Sequence, residues 1–382
     1  MSFDFTTAPD RRGTGSLKWD KYAGTDILPL WVADMDFLSP PCVREALARR
    51  VAHGVFGYTQ PRAETIEATL AWLRDRHGAT AEADWLVWFP GLVPALNVIC
   101  RAFGASGDEA IALTPVYPPF LTAPAFSNLK GVSVPLALEG DRWRVDPVRL
   151  EAAFTPRTRL LIFCNPHNPI GRVFSEAEVA EVAELCARHG ALFCSDEIHA
   201  DLTFGPSRHF CALRMSGAAA ARAITLMAPS KTFNTPGLAC AFAVIPDPGI
   251  RRTVREAARG IITEINAMGY VACEAAFRDG EPWRQALLDT LRGNRDFLYE
   301  FTAREMPELR LRPMEATYLA WLDARGLDLE DPVGFFEKGG VGLFDGKLFG
   351  PGGEGFLRLN FGCPRPRLEE ALRRMKTALD RR

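Results

Sequence analysis

Residues 224–238 read ITLMAPSKTFNTPGL, and the fold turns on how this stretch is parsed. Residues 224–227 are apolar and run into Pro229, as a buried strand does where it stops; Ser230 and Lys231 follow at once. An amine just past a buried strand loses solvation, which disfavours its charged form and lowers its basicity. A Schiff-base lysine needs such an amine. Most lysines are solvated surface charges, so the weight falls on what the rest of the chain brings to the same place.

Working outward, residues 85–89 (WLVWF), 109–113, 132–136, 159–164 (RLLIFC), 191–195 and 241–245 read as further strands. RLLIFC is a continuous apolar run of the kind buried on both faces of a parallel sheet. Gly91 opens a helix through Phe103, with Pro94 tolerated in its first turn. Ser175-Glu176-Ala177-Glu178 is a capping box ahead of a helix whose Val179, Val182, Leu185 and Cys186 share one face. Strands alternating with helices predict an α/β fold, a mostly parallel central sheet with flanking helices. Residues 1–40 are irregular, and helices follow over 41–53 and 63–77. Beyond Pro248 the pattern predicts helices over 250–277 and 283–306. Short elements at 317–322, 335–341 and 356–360 and a closing helix from Arg367 then make a smaller α+β section. A length of 382 residues suits two domains. The expected division is an N-terminal segment 1–44 joining the small domain, a large domain 45–275 and a C-terminal small domain 276–382.

Composition excludes several classes. A net charge of −2 with 24% charged residues gives no electrostatic reason to expect a nucleic acid or an anionic membrane as partner. The N-terminus lacks an apolar signal core, and no apolar run approaches the ~18 residues of a membrane-spanning helix. Nine cysteines with no CxxC pair read as buried, reduced thiols of a cytoplasmic protein. His53, His77, His167, His189 and His209 lack metal-ligand spacing, so no metal is expected. GPGGEG at 350–355 matches GxGxxG literally but precedes a strand where a nucleotide site would open a helix, so it reads as a loop.

The polar residues share one address. Gly91-Leu92-Val93, Tyr117, Asn168, Asp196 and Ser230-Lys231 each follow a strand, and open α/β sheets bind ligands at the carboxyl ends of their strands. Asp196 behind a buried strand wants a cationic partner, such as a protonated pyridine nitrogen. Asn168 can donate to a phenolate oxygen, Tyr117 can stack on a ring, and Gly91 lets backbone N–H groups approach a phosphate. Arg358 in FLRLNFG can clamp a carboxylate, although an arginine on such a strand more often faces outward from an edge. His167 stands in the NPHNP turn and can line the site. Glu197 and Asp201 suggest packing and turn polarity only.

Asn168-Pro169-x-Gly171, Asp196 and Ser230-Lys231, followed by Arg358-Leu359-Asn360, resemble the fold-type I pyridoxal 5′-phosphate enzymes of the class I/II aminotransferase superfamily. More narrowly, LPLWVADMDF (28–37), GYT (57–59), NPHNPIG (165–171), SDEIHADL (195–202), APSKTFNTPGL (228–238), TYLAWLD (317–323) and GEGFLRLNFGCPR (353–365) are similar to the MalY/PatB group of cysteine–sulfur β-lyases. The resemblance implies that Lys231 binds pyridoxal 5′-phosphate covalently and then carries the Cα proton. It gives Asp196 the ring nitrogen, Asn168 the ring hydroxyl and Tyr117 the ring face. It gives Leu92 and Val93, with Gly91 and Ser230, the phosphate, and Arg358 the substrate carboxylate. Tyr58 would reach the phosphate in the neighbouring subunit of a homodimer. His199 stands where many aminotransferases have a tyrosine on the ring oxygen. Ala228 replaces a common phosphate-binding serine, and Ala239 stands where an arginine is common, which leaves the phosphate more to backbone N–H groups. The substrate pocket would draw on residues 33–38, including Ala33, and on 343–350, where Lys347 can attract a distal carboxylate.

The implied reaction is β-elimination on cystathionine or another S-substituted L-cysteine, a small-molecule amino-acid substrate. An aminotransferase would use the same residues and is the alternative. A non-enzymatic regulator on this fold is the remote one, against which the full Lys231, Asp196 and Asn168 set and the short N-terminus both speak.

Overall fold

The computed structural model describes residues 3–382. Its larger sheet has seven strands: β1 Leu86–Phe89, β2 Glu109–Thr114, β3 Lys130–Pro135, β4 Thr158–Cys164, β5 Leu192–Asp196, β6 Ala223–Met227 and β7 Ala241–Val244. Their spatial order is β1-β7-β6-β5-β4-β2-β3. β7 is antiparallel to both neighbours, and the other pairings are parallel.

The pleat explains the apolar runs. Leu160 and Ile162 of β4 join Leu192, Cys194, Ile224 and Leu226 in one cluster, whereas Leu161 and Phe163 join Ile111, Leu113 and Phe193 in another. Successive side chains point to opposite faces, and helices cover both, so every position must be apolar. Around the sheet lie α1 Pro41–His53, α2 Ala63–His77, α3 Leu92–Phe103, α4 Glu176–Arg188, α5 Pro248–Ala258, α6 Ala267–Asp279 and α7 Glu281–Glu305, and α8 Arg365–Asp380 ends the chain. The capping box ahead of α4 is closed both ways: Ser175 Oγ accepts from the Glu178 N–H (3.4 Å) and Glu178 Oε2 from the Ser175 N–H (2.9 Å).

Two expectations need correction. The helix expected over 250–277 is two helices, α5 and α6, because Gly260 turns into the left-handed region (φ +77°) and Asn266 caps a new start, accepting from the Gly269 N–H at 2.8 Å. The segment expected at 335–341 is a helix, Pro332–Lys338, followed by Val341–Gly342, which pairs with Leu28–Pro29. The 275/276 boundary falls inside α6, which packs on α1 and α2.

The second sheet is antiparallel, with β8 Arg310–Leu311, β9 Leu319–Asp323, β10 Phe344–Asp345 and β11 Phe356–Asn360 in the order β8-β9-β11-β10. β11 is therefore an interior strand, and Arg358 sits opposite Trp321 on one side and Phe344 on the other, not outward on an edge. Asn360 Nδ2 donates to the carbonyls of Val32 (2.6 Å) and Asp34 (2.7 Å). The N-terminal segment is thus laid along β11 and across the ends of the larger sheet.

Candidate active site

The carboxyl ends of the larger sheet meet a cavity of about 270 Å³. Gly91, Leu92, Val93, Tyr117, Asn168, Asp196, His199, Ser230, Lys231 and Ala33 line it. Arg358, Tyr58 and His167, also expected at the site, do not line it. Arg358 stands behind Asn168, to which it is bonded. Tyr58 lies on the loop after α1 and is 98% exposed, away from the cavity of its own chain.

Lys231 Nζ donates to the Ala33 carbonyl at 2.7 Å. Burial, and then the Arg358 charge, bring its amine down to about 8, against the opposite pull of Asp34 and Asp196. The loop that carries it is pinned on the N-terminal segment by Asn234, held in the left-handed region (φ +55°). Asn234 Oδ1 accepts from the Met35 N–H (2.9 Å), and Nδ2 donates to the carbonyls of Met35 (3.0 Å) and Phe37 (2.8 Å).

Asp196 ends β5. One oxygen accepts from the Ile198 N–H at 3.0 Å, and no cation among the described residues forms an ion pair with the carboxyl. Burial accordingly pushes it up to about 7. His199, one turn on, is buried, and its Nδ1 has no partner among the described residues. Burial and the charges of Lys231 and Arg358 hold the ring at about 3, hence neutral at pH 7.

Arg358 is 1% exposed and has no carboxylate partner among the described residues. It donates to Asn168 Oδ1 (3.1 Å) and the Trp31 carbonyl (2.9 Å), between the rings of Phe344 (4.8 Å) and Phe349 (5.1 Å). Its Nε is unpartnered. A buried cation without a counterion is costly and marks a place where an anion would be welcome.

At the other end, Gly91 has φ +143°, which side chains rarely permit, and it turns β1 straight into α3. The first-turn N–H groups of Leu92 and Val93 stand at the positive end of the helix dipole, while Pro94 has none to offer. In the Asn168 loop, Gly171 takes the left-handed conformation (φ +69°) that favours glycine, and a Cβ there would crowd the Ala316 carbonyl oxygen at 3.2 Å.

Several side chains behave differently from their sequence readings. His167 does not line the cavity. It is buried between the carbonyls of Pro115 (Nε2, 2.8 Å) and Cys164 (Nδ1, 3.2 Å), and burial lowers it to about 4. A neutral ring donates once, so it braces the loops after β2 and β4. Lys347 is exposed on the 3-10 turn Gly346–Phe349. Glu197 and Asp201 do more than shape turns. Glu197 accepts from Ser195 Oγ (2.9 Å), the Ala212 N–H (2.8 Å) and His209 Nε2 (2.7 Å). Asp201 accepts from Trp72 Nε1 and Thr232 Oγ1, each at 3.2 Å, and lies 3.0 Å from His77. Glu197, His209 and Cys211 bring possible metal-ligating atoms within 4.8 Å of one another, a grouping that sequence spacing does not reveal. Tyr318, seen in the sequence only as part of TYLAWLD, donates to the Ala33 carbonyl at 3.1 Å.

A mostly parallel seven-stranded sheet with a half-buried lysine past one strand and a buried aspartate ending its neighbour is the fold-type I architecture of pyridoxal-phosphate enzymes. The family model for aminotransferase class I and II matches residues 25–375, and the chain belongs to that family. It is 39% identical to cystathionine beta-lyase PatB of Bacillus subtilis over 99% of this chain and 100% of that protein. Among solved structures, OvoB is 43% identical with a TM-score of 0.95, covering 99% of both chains. Cystalysin from Treponema denticola, whose crystal structure contains pyridoxal 5′-phosphate, is 32% identical with a TM-score of 0.97 over the whole of both chains.

Proposed function

We propose that this protein is a pyridoxal 5′-phosphate-dependent carbon–sulfur β-lyase. It acts on cystathionine or another S-substituted L-cysteine, with water, to give pyruvate, ammonia and a thiol. The observation that carries the chemistry is the fully buried Arg358, without a carboxylate partner among the described residues, held directly on the cavity-lining Asn168 and close enough to help bring the Lys231 amine down to about 8. The first wants an amino-acid carboxylate and the second is poised to move a proton near neutral pH. The choice of elimination rests on the relatives, since PatB is named as a cystathionine beta-lyase.

The residues present fit the cofactor. Asp196 is a buried carboxyl lacking a cation, Leu92 and Val93 open a helix whose N-terminus favours an anion, and the two face one cavity whose volume suits a single substituted ring. In this reading Lys231 holds the cofactor, Asp196 keeps a proton on its ring nitrogen, and Asn168 binds its ring hydroxyl beside a neutral His199. Tyr117 covers one ring face, and Leu92, Val93, Gly91 and Ser230 take the phosphate. Bound there, pyridoxal phosphate supplies the aldehyde that takes up the substrate amine and the ring that accepts the electron pair left at Cα. Arg358 clamps the substrate carboxylate, with Asn168 beside it and the Ala33 segment closing the wall. That fixes which Cα bond faces Lys231, and Lys231 removes that proton. A thiolate at Cβ then has an electron pair to expel it.

Tyr58 supports a homodimer. It stands with Val55 and Phe56 on an exposed loop (98%, 63% and 59%), and such apolar side chains grouped in solvent ask for a covering surface. We infer that Tyr58 reaches the phosphate in a second copy. A cytoplasmic setting is supported by nine free cysteines, eight of them buried, in a chain with no described helix long and apolar enough to cross a membrane.

The deciding experiment supplies cystathionine with no keto-acid acceptor. A lyase releases pyruvate and ammonia turnover after turnover, in equal amounts. The aminotransferase alternative draws on the family itself and on a 26% identical aspartate aminotransferase. It stops after about one turnover per site until an acceptor is added, and that result would replace the lyase assignment.

A further inference from the structure

We propose that Tyr318 is a positioning residue for Lys231, acting through the carbonyl of Ala33. The proposal rests on the reading of Lys231 as the proton-carrying amine.

The Ala33 oxygen accepts two hydrogen bonds, one from Lys231 Nζ (2.7 Å) and one from the Tyr318 hydroxyl (3.1 Å). A carbonyl oxygen has two lone pairs. With Tyr318 on one, the other fixes where the free amine rests. Sharing the oxygen also weakens its grip on an ammonium, which favours the neutral amine that a proton acceptor must be.

The carbonyl itself cannot drift, because Asn360 holds the carbonyls on either side of it, those of Val32 and Asp34. Tyr318 is fully buried, and its hydroxyl makes no other bond among the described residues.

The backbone that delivers Tyr318 is strained. Thr317 has φ +72°, an outlier for a β-branched residue. It is kept there by its N–H on the Leu202 carbonyl (2.9 Å), by the Leu319 N–H on its own Oγ1 (3.1 Å) and by the Phe361 N–H on the Tyr318 carbonyl (2.9 Å). Next to it, the Ala316 N–H reaches the Gly171 carbonyl (3.0 Å). One short crossing thus ties the Asn168 loop, the loop after His199 and β11 together, and the side chain it presents is the one aimed at the resting place of Lys231. Strain of this kind persists where surroundings over-determine it, often at functional sites.

The test compares Tyr318→Phe, which removes one oxygen and keeps the ring, with Thr317→Gly, which relieves the strain and gives up the Oγ1 bond to the Leu319 N–H but keeps the Tyr318 hydroxyl and the Thr317 N–H on Leu202. In cofactor-free protein, acetylation of Lys231 by acetic anhydride is followed against pH by peptide mass spectrometry. The groups facing this amine are Asp34, Asp196, Arg358 and the neutral His199, and neither substitution alters them. Tyr318→Phe should move the Lys231 midpoint up by about half a unit, about threefold less free amine at pH 7, and Thr317→Gly should leave it in place. In the cofactor-loaded enzyme, Tyr318→Phe should slow exchange of the Cα proton of L-alanine in D2O with the KM for alanine unchanged. An unchanged midpoint in Tyr318→Phe, or an equal shift in Thr317→Gly, overturns the proposal. A wild type whose Lys231 labels like a surface lysine and exchanges no alanine proton overturns the functional reading instead.

Discussion

Replacing Asp196 by Asn should remove a pH dependence of stability that the wild type shows without cofactor. The carboxyl is buried with no ion-pair partner among the described residues, and burial outweighs the more distant Lys231 charge, so it sits at about 7 instead of 3.8. A folded-state pKa raised above the unfolded one contributes stability that is fully present below the unfolded value, near pH 4, and is lost as pH rises through the folded value, near 7. Three units correspond to roughly 4 kcal/mol over the whole window, of which roughly 2.5 kcal/mol falls between pH 5 and pH 8. Lys231 works the other way. Its depressed pKa contributes stability above the unfolded value that is lost as pH falls through about 8, but only a few tenths of a kcal/mol of that lies between pH 5 and 8. Urea unfolding of cofactor-free protein at half-unit steps from pH 5 to 8 should therefore show the wild type weakening by about 2.5 kcal/mol relative to Asp196→Asn. Other groups titrate in both proteins and cancel in the difference. Adding pyridoxal phosphate should flatten the wild-type slope, since a protonated ring nitrogen supplies the missing cation. Parallel curves for the two cofactor-free proteins would mean that Asp196 is not a stranded acid, and the argument that it awaits a cationic partner would fail.

Two further outcomes follow from the same geometry. Arg358→Lys loses the planar fork that now spans Asn168 and Trp31; kcat/KM for cystathionine should fall about 30- to 200-fold, or ~2–3 kcal/mol, chiefly through KM, while affinity for an amine lacking the carboxylate changes little. If both ligands weaken alike, Arg358 is holding the fold and not the substrate. Tyr58→Ala mixed with Lys231→Ala and reassembled should regain roughly a quarter of wild-type activity, because only the mixed dimers carry one intact site; no regain would place Tyr58 outside its neighbour's site.

Much of this site was legible because strand ends are legible. A run such as RLLIFC reads as a doubly buried strand, and a polar residue that follows such a strand sits at the sheet's end, so the sequence alone gathers Asn168, Asp196 and Lys231 into one place. Arg358 was harder. An arginine in an alternating strand faces solvent by default, and only the strand order, with β11 between β9 and β10, shows it enclosed by Phe344 and Phe349. The break between α5 and α6 is hidden in the sequence because apolar periodicity continues across it, while a glycine and a cap decide it locally.

The DEIHAD stretch shows what no sequence pattern distinguishes. Four of its residues, Asp196, Glu197, His199 and Asp201, are polar and buried, and composition ranks none above another. The chain leaves β5 in a turn and not a strand, so facing does not alternate. Asp196 and His199 point into the cavity with unmet needs, the one lacking a cation and the other a partner for Nδ1. Glu197 and Asp201 point behind it, where His209 satisfies the first and Trp72 and Thr232 the second. Burial alone would raise both rear carboxyls; their histidines bring Glu197 and Asp201 below the ordinary range, so they stay charged and fix the turn. Residues with their bonds complete hold the loop, and residues with bonds missing are left to meet a ligand. That distinction is one of hydrogen-bond satisfaction, and it exists only once the chain is folded.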